Sequence, residues 1–144
     1  MKRGADEVAQ ASADAMWAED KASRAMGMKV EKVGPGFAVL SMSVGDNMVN
    51  GHGFCHGGYI FSLADSAFAF ACNSHNQRHV AQHCQISYLA PGRLGMRLIA
   101  EARERHRGER SGLYDVMVKS EAGEVIAEFR GNSRSIPGTL VPDA

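Results

Sequence analysis

The sequence predicts an α+β domain in which one long helix packs against a curved antiparallel sheet. Residues 57–73 form the most apolar segment and are apolar nearly all round, which is typical of a helix buried on most sides. Four later segments alternate apolar and polar residues, the pattern of half-buried antiparallel strands. A run of strands after a helix favours an α+β arrangement with the helix against one sheet.

The elements before the central helix are an N-terminal helix and two strands. Residues 1–26 predict a helical extension, because residues 6–26 are rich in Ala, Glu, Lys and Met and no glycine or proline interrupts them before Gly27. Strands are expected at residues 28–33 and 37–44, on either side of a Gly-Pro-Gly turn. Residues 45–56 have no clear period and many turn residues, which predicts a loop.

The elements after the central helix are four strands joined by short turns. They are predicted at residues 80–89, 94–105, 113–119 and 125–135. One face of the first of these strands is expected to consist of Val80, Gln82, Cys84, Ile86 and Tyr88. The main domain is therefore expected to span residues 27–138, followed by a flexible tail at residues 139–144.

Length and composition narrow the class of protein. A chain of 144 residues predicts one domain, and its 16 basic and 16 acidic side chains argue against a dedicated nucleic-acid binder. The first ten residues have no apolar h-region, and the most apolar run is short for a bilayer span. We therefore expect a soluble cytoplasmic protein with no nucleic-acid or membrane partner. The three cysteines cannot all pair within one chain and are expected to be reduced.

Asp65 is the most informative single residue, because it lies in the middle of the apolar helix. A carboxylate in such a place costs several kcal/mol unless it is hydrogen-bonded or reaches water. One interpretation is structural: Asp65 lies on a thin exposed stripe or caps a nearby backbone group. The other is functional: Asp65 lies at the wall of a pocket, where burial tunes its pKa.

The loop that leads into this helix, residues 50–58, is the second candidate site. Its glycines allow a backbone to approach a ligand closely, and the free N–H groups at a helix start suit a developing anionic oxygen. A tight loop with glycine for turn geometry is the structural alternative. Gly57 and Asp65 are eight residues apart, about 12 Å along a helix. If both are catalytic, the site combines Gly57 of one subunit with Asp65 of another.

These residues resemble a known family. The segment NGHGFCHGGYIFSLAD at residues 50–65 is similar to the motif of the PaaI-type hotdog thioesterases of phenylacetate degradation. SAFAFACNS, YLAPG at residues 88–92 and EFRGNSRSIPG at residues 128–138 extend the resemblance over about residues 27–138. It implies a hotdog fold, a tetramer built from dimers, and hydrolysis of acyl-CoA thioesters such as phenylacetyl-CoA or hydroxyphenylacetyl-CoA.

The resemblance also implies roles for individual residues. Asp65 matches the catalytic carboxylate, which acts as the nucleophile or as the general base on water. Gly57 matches the backbone N–H that polarises the thioester carbonyl. His56 matches the histidine before it, which supports that loop and is a candidate contact to the substrate or the oxyanion. Asn50 matches the polar residue that orients water or binds the thioester.

Two hydroxyl positions of the family differ in this sequence. Some relatives carry a Ser or Thr where this chain has Ala69, or a Ser where it has Ala81. Gln82 or His83 is the alternative candidate for a polar group that reaches the site from that strand. The departure affects an assisting hydroxyl and leaves the acid in place.

The arginines and the cysteine and histidine residues suggest further contacts. Arg93, Arg130 and Arg134 are candidate contacts to the phosphates of coenzyme A, since Arg suits phosphate. We expect no metal and no cofactor, coenzyme A being part of the substrate, because no pair of possible ligands has the spacing of a strong metal site. The possible ligands are His52, Cys55, Cys72, His75, His79, His83, Cys84 and His56.

Two other functions stay open at this point. A hydratase or dehydratase on acyl thioesters needs a histidine and an acid at the β-carbon, and His56 is the candidate for the first. A non-catalytic acyl-CoA binding protein would use the same pocket without turnover.

Overall fold

A computed structural model describes residues 3–142 and confirms the predicted α+β architecture. The elements follow in the order α1 (Ala5–Glu19), α2 (Lys21–Ala25), β1 (Lys29–Gly34), β2 (Phe37–Ser43), a short 3-10 helix (Asp46–Met48), α3 (Gly57–Cys72), β3 (His79–Tyr88), β4 (Arg97–Arg107), β5 (Ser111–Ser120) and β6 (Val125–Ser135). Parts of the predicted extension (residues 1–2) and tail (residues 143–144) lie outside the described residues.

The six strands form one antiparallel sheet in the order β1-β2-β4-β5-β6-β3, and α3 packs across one face of it. Phe68 of α3 is buried against Tyr114 and Phe129, and its ring lies so close to Gly131 that a Cβ there would be 2.8 Å away. Glycine in β6 thus allows the helix to sit close to the sheet. β2 lies near one edge of the sheet and β3 forms the other edge, so the connection between them, which contains α3, crosses the sheet.

The N-terminal segment is two helices, and the expectation of a single helix over residues 6–26 is wrong. The break is at Asp20, whose Oδ1 accepts a hydrogen bond from the Ser23 N–H and so caps α2. An Asp side chain that bonds the backbone in this way competes with helix continuation. Ser23 Oγ also bonds to Ser66 Oγ at 2.8 Å, which ties α2 to α3.

The edge strand β3 departs from strict alternation. A β-bulge between Ala81 and His83 shifts the register, so that Val80 pairs with Arg134 on the face away from α3. Cys84, Ile86 and Tyr88 keep the predicted shared face, because their partners on β6 are residues that face α3. The strand predicted from residue 94 begins at Arg97, because residues 93–96 form a turn with a Met96 N–H to Arg93 O bond.

The described part of the C-terminal tail is bonded to the loop between α3 and β3. Asn76 Oδ1 accepts hydrogen bonds from the N–H groups of Leu140 and Val141, and Arg78 Nε donates to Thr139 O at 3.0 Å. The expected flexibility of residues 139–144 stays a prediction.

Candidate active site

The loop before α3 is held in shape by Asn50. Its Oδ1 accepts hydrogen bonds from the N–H groups of His52 (3.0 Å) and Phe54 (3.2 Å), and its own N–H donates to Phe54 O at 2.7 Å. This is the local turn chemistry that Asn favours. Its side-chain NH₂ has no hydrogen-bond partner within residues 3–142 and is the part of Asn50 available to a ligand.

His56 caps the first turn of α3. Its Nδ1 accepts a hydrogen bond from the Gly58 N–H at 2.9 Å, and its backbone N–H donates to Met48 O at 2.7 Å. With Nδ1 as acceptor, the neutral imidazole carries its proton on Nε2, which assigns the tautomer from the bonding pattern. The ring meets Tyr59 edge-on at a centroid distance of 6.5 Å.

Gly57 is the first residue of α3, and its N–H has no acceptor among residues 3–142. The neighbouring donors are all used: the His56 N–H bonds Met48 O, the Gly58 N–H bonds His56 Nδ1, and the Tyr59 N–H bonds His56 O. The start of a helix carries a partial positive charge. One unused N–H at such a place is suited to an oxygen that becomes anionic.

Asp65 is half-buried on α3, and its carboxylate accepts no hydrogen bond from any described residue. It is therefore no cap of a backbone group in this part of the chain. Burial raises the pKa of Asp65. Burial and then the Asp65 carboxylate raise the pKa of Cys84, which places Asp65 near β3. A desolvated, unpaired carboxylate is expected where function requires it.

One chain does not bring Gly57 and Asp65 together. Both lie on α3, separated by eight residues and about 12 Å of helix rise. Beside Asp65 the sheet ends at β3, an edge strand with no lysine or proline and with most of its residues exposed. Tyr88 and Leu89, at its end, are 51% and 58% exposed.

Tyr88 is the residue near the site that sequence reasoning left unassigned. Its hydroxyl donates a hydrogen bond to Gly57 O at 2.9 Å. A Cβ on Gly57 would lie 3.0 Å from the Tyr88 Cζ and Oη atoms, so the ring lies against the glycine. On the sequence alone, Tyr88 is only a residue on one strand face and part of the YLAPG resemblance, because nothing in the local sequence connects it with Gly57, 31 positions away.

The three candidate phosphate-binding arginines lie in different surroundings. Arg93 is paired with Phe54 in an isolated β-bridge, and its guanidinium lies 5.3 Å from the Phe54 ring centroid, beside the loop of residues 50–58. Arg130 is held by Asp115 through two bonds of 2.6 and 2.9 Å. Arg130 and Arg134 are both exposed on the sheet face away from α3.

That outer face holds a broad groove of about 670 Å³. Its charged lining residues are of both signs: Glu101, Arg103, Arg105, Asp115, Glu128 and Arg130. His83 pairs with Asn132 and so faces the same side, and Gln82 lies at the bulge. The register therefore directs neither the Gln82 nor the His83 side chain toward α3. Ala81, in contrast, pairs with the buried Ser133.

The cysteines show no sign of nucleophilic chemistry. Cys55, Cys72 and Cys84 form no disulfide. Burial raises the pKa of each thiol, that of Cys72 to about 12, so all three are protonated at neutral pH. No group of three or more potential metal ligands was found in residues 3–142. None of the helices described there is long and apolar enough to cross a membrane.

Comparison with known proteins gives consistent matches. Residues 52–127 match the model of the thioesterase superfamily. The chain is 44% identical to the acyl-coenzyme A thioesterase PaaI of Escherichia coli K12, over 92% of this chain and 95% of that protein. The solved structure of the E. coli PaaI protein, described as coming from the phenylacetic acid degradation operon, has a TM-score of 0.93 at 43% identity. It covers 94% of this chain, and the match spans 99% of that one.

A more distant solved structure carries a ligand. It is a Streptococcus mutans protein bound to acetyl-CoA, 27% identical, with a TM-score of 0.75. The match covers 78% of this chain and 90% of that one.

Proposed function

Since this chain belongs to the thioesterase superfamily, we propose that it hydrolyses acyl-CoA thioesters, with an arylacetyl-CoA such as phenylacetyl-CoA or hydroxyphenylacetyl-CoA as favoured substrate. The PaaI-type resemblance is confirmed by 44% identity over nearly the whole chain. The substrate preference is supported by the operon from which the similar E. coli protein comes.

The observation that carries the proposal is the pair of unused groups on α3. Gly57 offers an N–H with no internal acceptor, and Asp65 offers a half-buried carboxylate with no internal donor. Acyl transfer needs one group to stabilise an oxyanion and one to supply or activate a nucleophile. Two such groups suffice for a thioester, because the thiolate is a good leaving group.

The reaction follows from these two roles. The thioester carbonyl oxygen accepts a hydrogen bond from the Gly57 N–H, which becomes stronger as the oxygen becomes an anion. Asp65 either removes a proton from a water molecule that attacks the carbonyl carbon, or attacks that carbon itself to form an anhydride that water then opens. The C–S bond breaks, the carboxylic acid is formed, and the coenzyme A thiolate leaves and takes up a proton. The raised pKa of Asp65 makes it a stronger base than an ordinary aspartate.

We propose that the two groups come from different subunits. The rise of about 12 Å between them on one helix is too long for one carbonyl group. Antiparallel association of two copies along β3 would bring Gly57 of one copy towards Asp65 of the other, because Asp65 lies near β3. An edge strand without lysine or proline is open to pairing with a second copy. A tetramer made of two such dimers remains part of the proposal.

Arg93 is the best-supported of the three proposed phosphate contacts. It lies beside the loop of residues 50–58, where a substrate held by Gly57 would pass. Arg130 already pairs with Asp115, so a phosphate there would have to compete with a carboxylate. Arg134 is exposed and lies on the same outer face.

The hydratase alternative is disfavoured by the match to the thioesterase superfamily and by the 44% identity to an acyl-coenzyme A thioesterase. His56 does not decide between the two, because its Nδ1 accepts the Gly58 N–H while its Nε2 stays available for proton transfer. The binding-protein alternative is separated from the proposal by turnover.

The test is thiol release from phenylacetyl-CoA, compared with acetyl-CoA, by the wild type and by Asp65→Asn. We expect the wild type to prefer phenylacetyl-CoA, and Asp65→Asn to lose about 10²-fold or more in kcat, as for removal of an acid–base or nucleophilic group. Asp14→Asn, the same change on an exposed face of α1, should match the wild type. We also propose that no metal takes part, so EDTA should not change the rate.

Equal rates for Asp65→Asn and the wild type would contradict the role of Asp65. Circular dichroism and thermal unfolding would first establish that both proteins are folded. Tight binding of the thioester without thiol release would favour a binding protein.

A further inference from the structure

The contact between Tyr88 and Gly57 joins the sheet to the start of α3. Tyr88 is the last residue of β3 and pairs with Ala127 of β6, so the sheet fixes its backbone. Its hydroxyl donates to Gly57 O at 2.9 Å, and its ring lies so close to Gly57 that a Cβ there would be 3.0 Å away. Through this one side chain, the position of the first turn of α3 depends on the position of the sheet.

The first turn needs such a contact, because it begins with two glycines. Gly57 and Gly58 restrict the backbone less than any other residues would. His56 holds one side of the turn through the Gly58 N–H, and Tyr88 holds the Gly57 carbonyl. Within the described chain, the Gly57 N–H between these two contacts is the backbone donor of this turn that is left for a ligand.

We propose that Tyr88 is a positioning residue, which directs the Gly57 N–H at the thioester carbonyl and does not itself touch the reacting atoms. The inference rests on the proposed function of Gly57. Donors stabilise a transition state most when they are already oriented before the reaction, so loss of this contact lowers kcat more than substrate binding. Burial raises the pKa of Tyr88, which keeps its hydroxyl protonated as a donor above neutral pH.

The experiment compares Tyr88→Phe with Tyr114→Phe. Each removes one tyrosine hydroxyl that donates a hydrogen bond, but Tyr114 bonds Glu104 near the other end of α3. For Tyr88→Phe we expect kcat on phenylacetyl-CoA to fall about 3- to 10-fold, the effect of one lost neutral hydrogen bond, with KM within about 2-fold. Its melting temperature should change little, because Tyr88 is half-exposed. For Tyr114→Phe we expect a lower melting temperature and an unchanged kcat.

A second readout does not depend on activity. Amide hydrogen exchange of residues 58–60 should be faster in Tyr88→Phe and unchanged in Tyr114→Phe, because only the first loses a contact of the first turn. An active wild type with unchanged kcat and unchanged exchange in Tyr88→Phe would overturn the inference and leave the thioesterase proposal standing. An inactive wild type would contradict the proposed function, and faster exchange in Tyr88→Phe would then still support the placement of the first turn by Tyr88.

Discussion

Gly57 is glycine because of space and not because of backbone conformation. It lies in the first turn of α3 with no positive φ, in contrast to Gly53 of the preceding loop, whose φ of 82° favours glycine. A side chain at residue 57 would press on the Tyr88 ring, whose nearest atoms would lie 3.0 Å from the added Cβ. The Gly57 N–H, in contrast, has no acceptor among residues 3–142. The effect of an added side chain at residue 57 and the effect of losing its N–H can therefore be tested with separate substitutions.

Gly57→Pro removes this N–H and should abolish most activity. Proline is favoured at the first position of a helix, and the φ of −59° and ψ of 133° at His56 suit a residue that precedes proline. We expect kcat to fall about 10²- to 10³-fold, as for loss of one oxyanion donor. The measurement is steady-state thiol release from phenylacetyl-CoA by folded protein.

Gly57→Ala is the matched control, because it introduces the same Cβ against Tyr88 but keeps the N–H. It should retain at least about ten times the kcat of the proline variant, if the donor and not the space carries the effect. Equal activities of the alanine and proline variants would show that the N–H is not used.

The two ends of α3 have different tasks. The N-terminal end presents the Gly57 N–H, whereas the C-terminal end is anchored in a polar network. His75, just beyond the helix, bonds Glu104 at 2.8 Å, and the buried Tyr114 donates to the same Glu104 oxygen at 2.8 Å. Ser74 Oγ accepts a hydrogen bond from the Gly36 N–H of the turn between β1 and β2. This network fixes the far end of the helix against three parts of the sheet.

The network predicts a loss of stability in acid. Burial raises the pKa of Glu104, but the hydrogen bonds from His75 and Tyr114 outweigh it, and the net pKa is lowered. A lowered folded-state pKa means that Glu104 stabilises the fold above its ordinary value of 4.5 and that this contribution is lost as the pH falls through the folded-state pKa. In Glu104→Gln we expect the free energy of unfolding at pH 7 to fall by about 1–2 kcal/mol.

The measurement is urea unfolding of both proteins from pH 7 to pH 3, where the difference between them should narrow. Glu124→Gln, which changes an exposed carboxyl on the turn before β6, should follow the wild type throughout. A difference for Glu104→Gln that stays constant over the whole pH range would contradict the electrostatic explanation.

The elements that could be predicted are those whose hydrophobic pattern is local. The bounds of β6 match the predicted residues 125–135, and α3 ends within one residue of the prediction. The break at Asp20 and the bulge beside Gln82 were missed, because each depends on hydrogen bonding that the apolar pattern does not encode. The turn at residues 93–96 was missed for the same reason, so β4 begins at Arg97 and not at residue 94 as predicted.

The residues of the candidate site also fall into those that the sequence could predict and those that it could not. Asp65 stands out in any reading of the sequence, since a carboxylate interrupts an apolar helix, and Gly57 follows from the start of that helix. The contact of Tyr88 with Gly57 and the pairing of Arg130 with Asp115 could not be predicted, because both are made between distant strands and helices. The bulge between Ala81 and His83 also places Val80 on the outer face and Ala81 opposite the buried Ser133, which alternation alone did not reveal.

At the scale of the whole molecule, the two edges of the sheet are unequal. The β1 edge is accompanied by α1, which packs against it. The β3 edge is ten residues long and lies beside the half-buried Asp65. Within the described chain, no helix packs along this edge as α1 does along β1. An open edge next to the proposed shared site favours a second copy as its occupant. The zero net charge of the chain imposes no strong repulsion between such copies.

A shared site predicts that two inactive variants restore activity to each other. When Asp65→Asn and Gly57→Pro are co-expressed with different affinity tags, the mixed dimer contains one site with both wild-type groups and one with neither. Random pairing of equal amounts makes about half of the dimers mixed, so activity should recover to about a quarter of the wild type. The purified doubly tagged dimer should show about half of the wild-type activity per dimer, measured as thiol release from phenylacetyl-CoA.

The control pairs Asp65→Asn with the double variant Asp65→Asn/Gly57→Pro, which has no Asp65 in any subunit and should remain inactive. Activity of the mixed dimer no higher than the sum of the two single variants would mean that Gly57 and Asp65 act within one chain. That outcome is hard to reconcile with their separation of about 12 Å on a single straight helix, in which neither group can approach the other without unwinding two turns. Recovery would therefore assign the two ends of one reaction to two copies of α3, and the dimer would be the smallest catalytic unit.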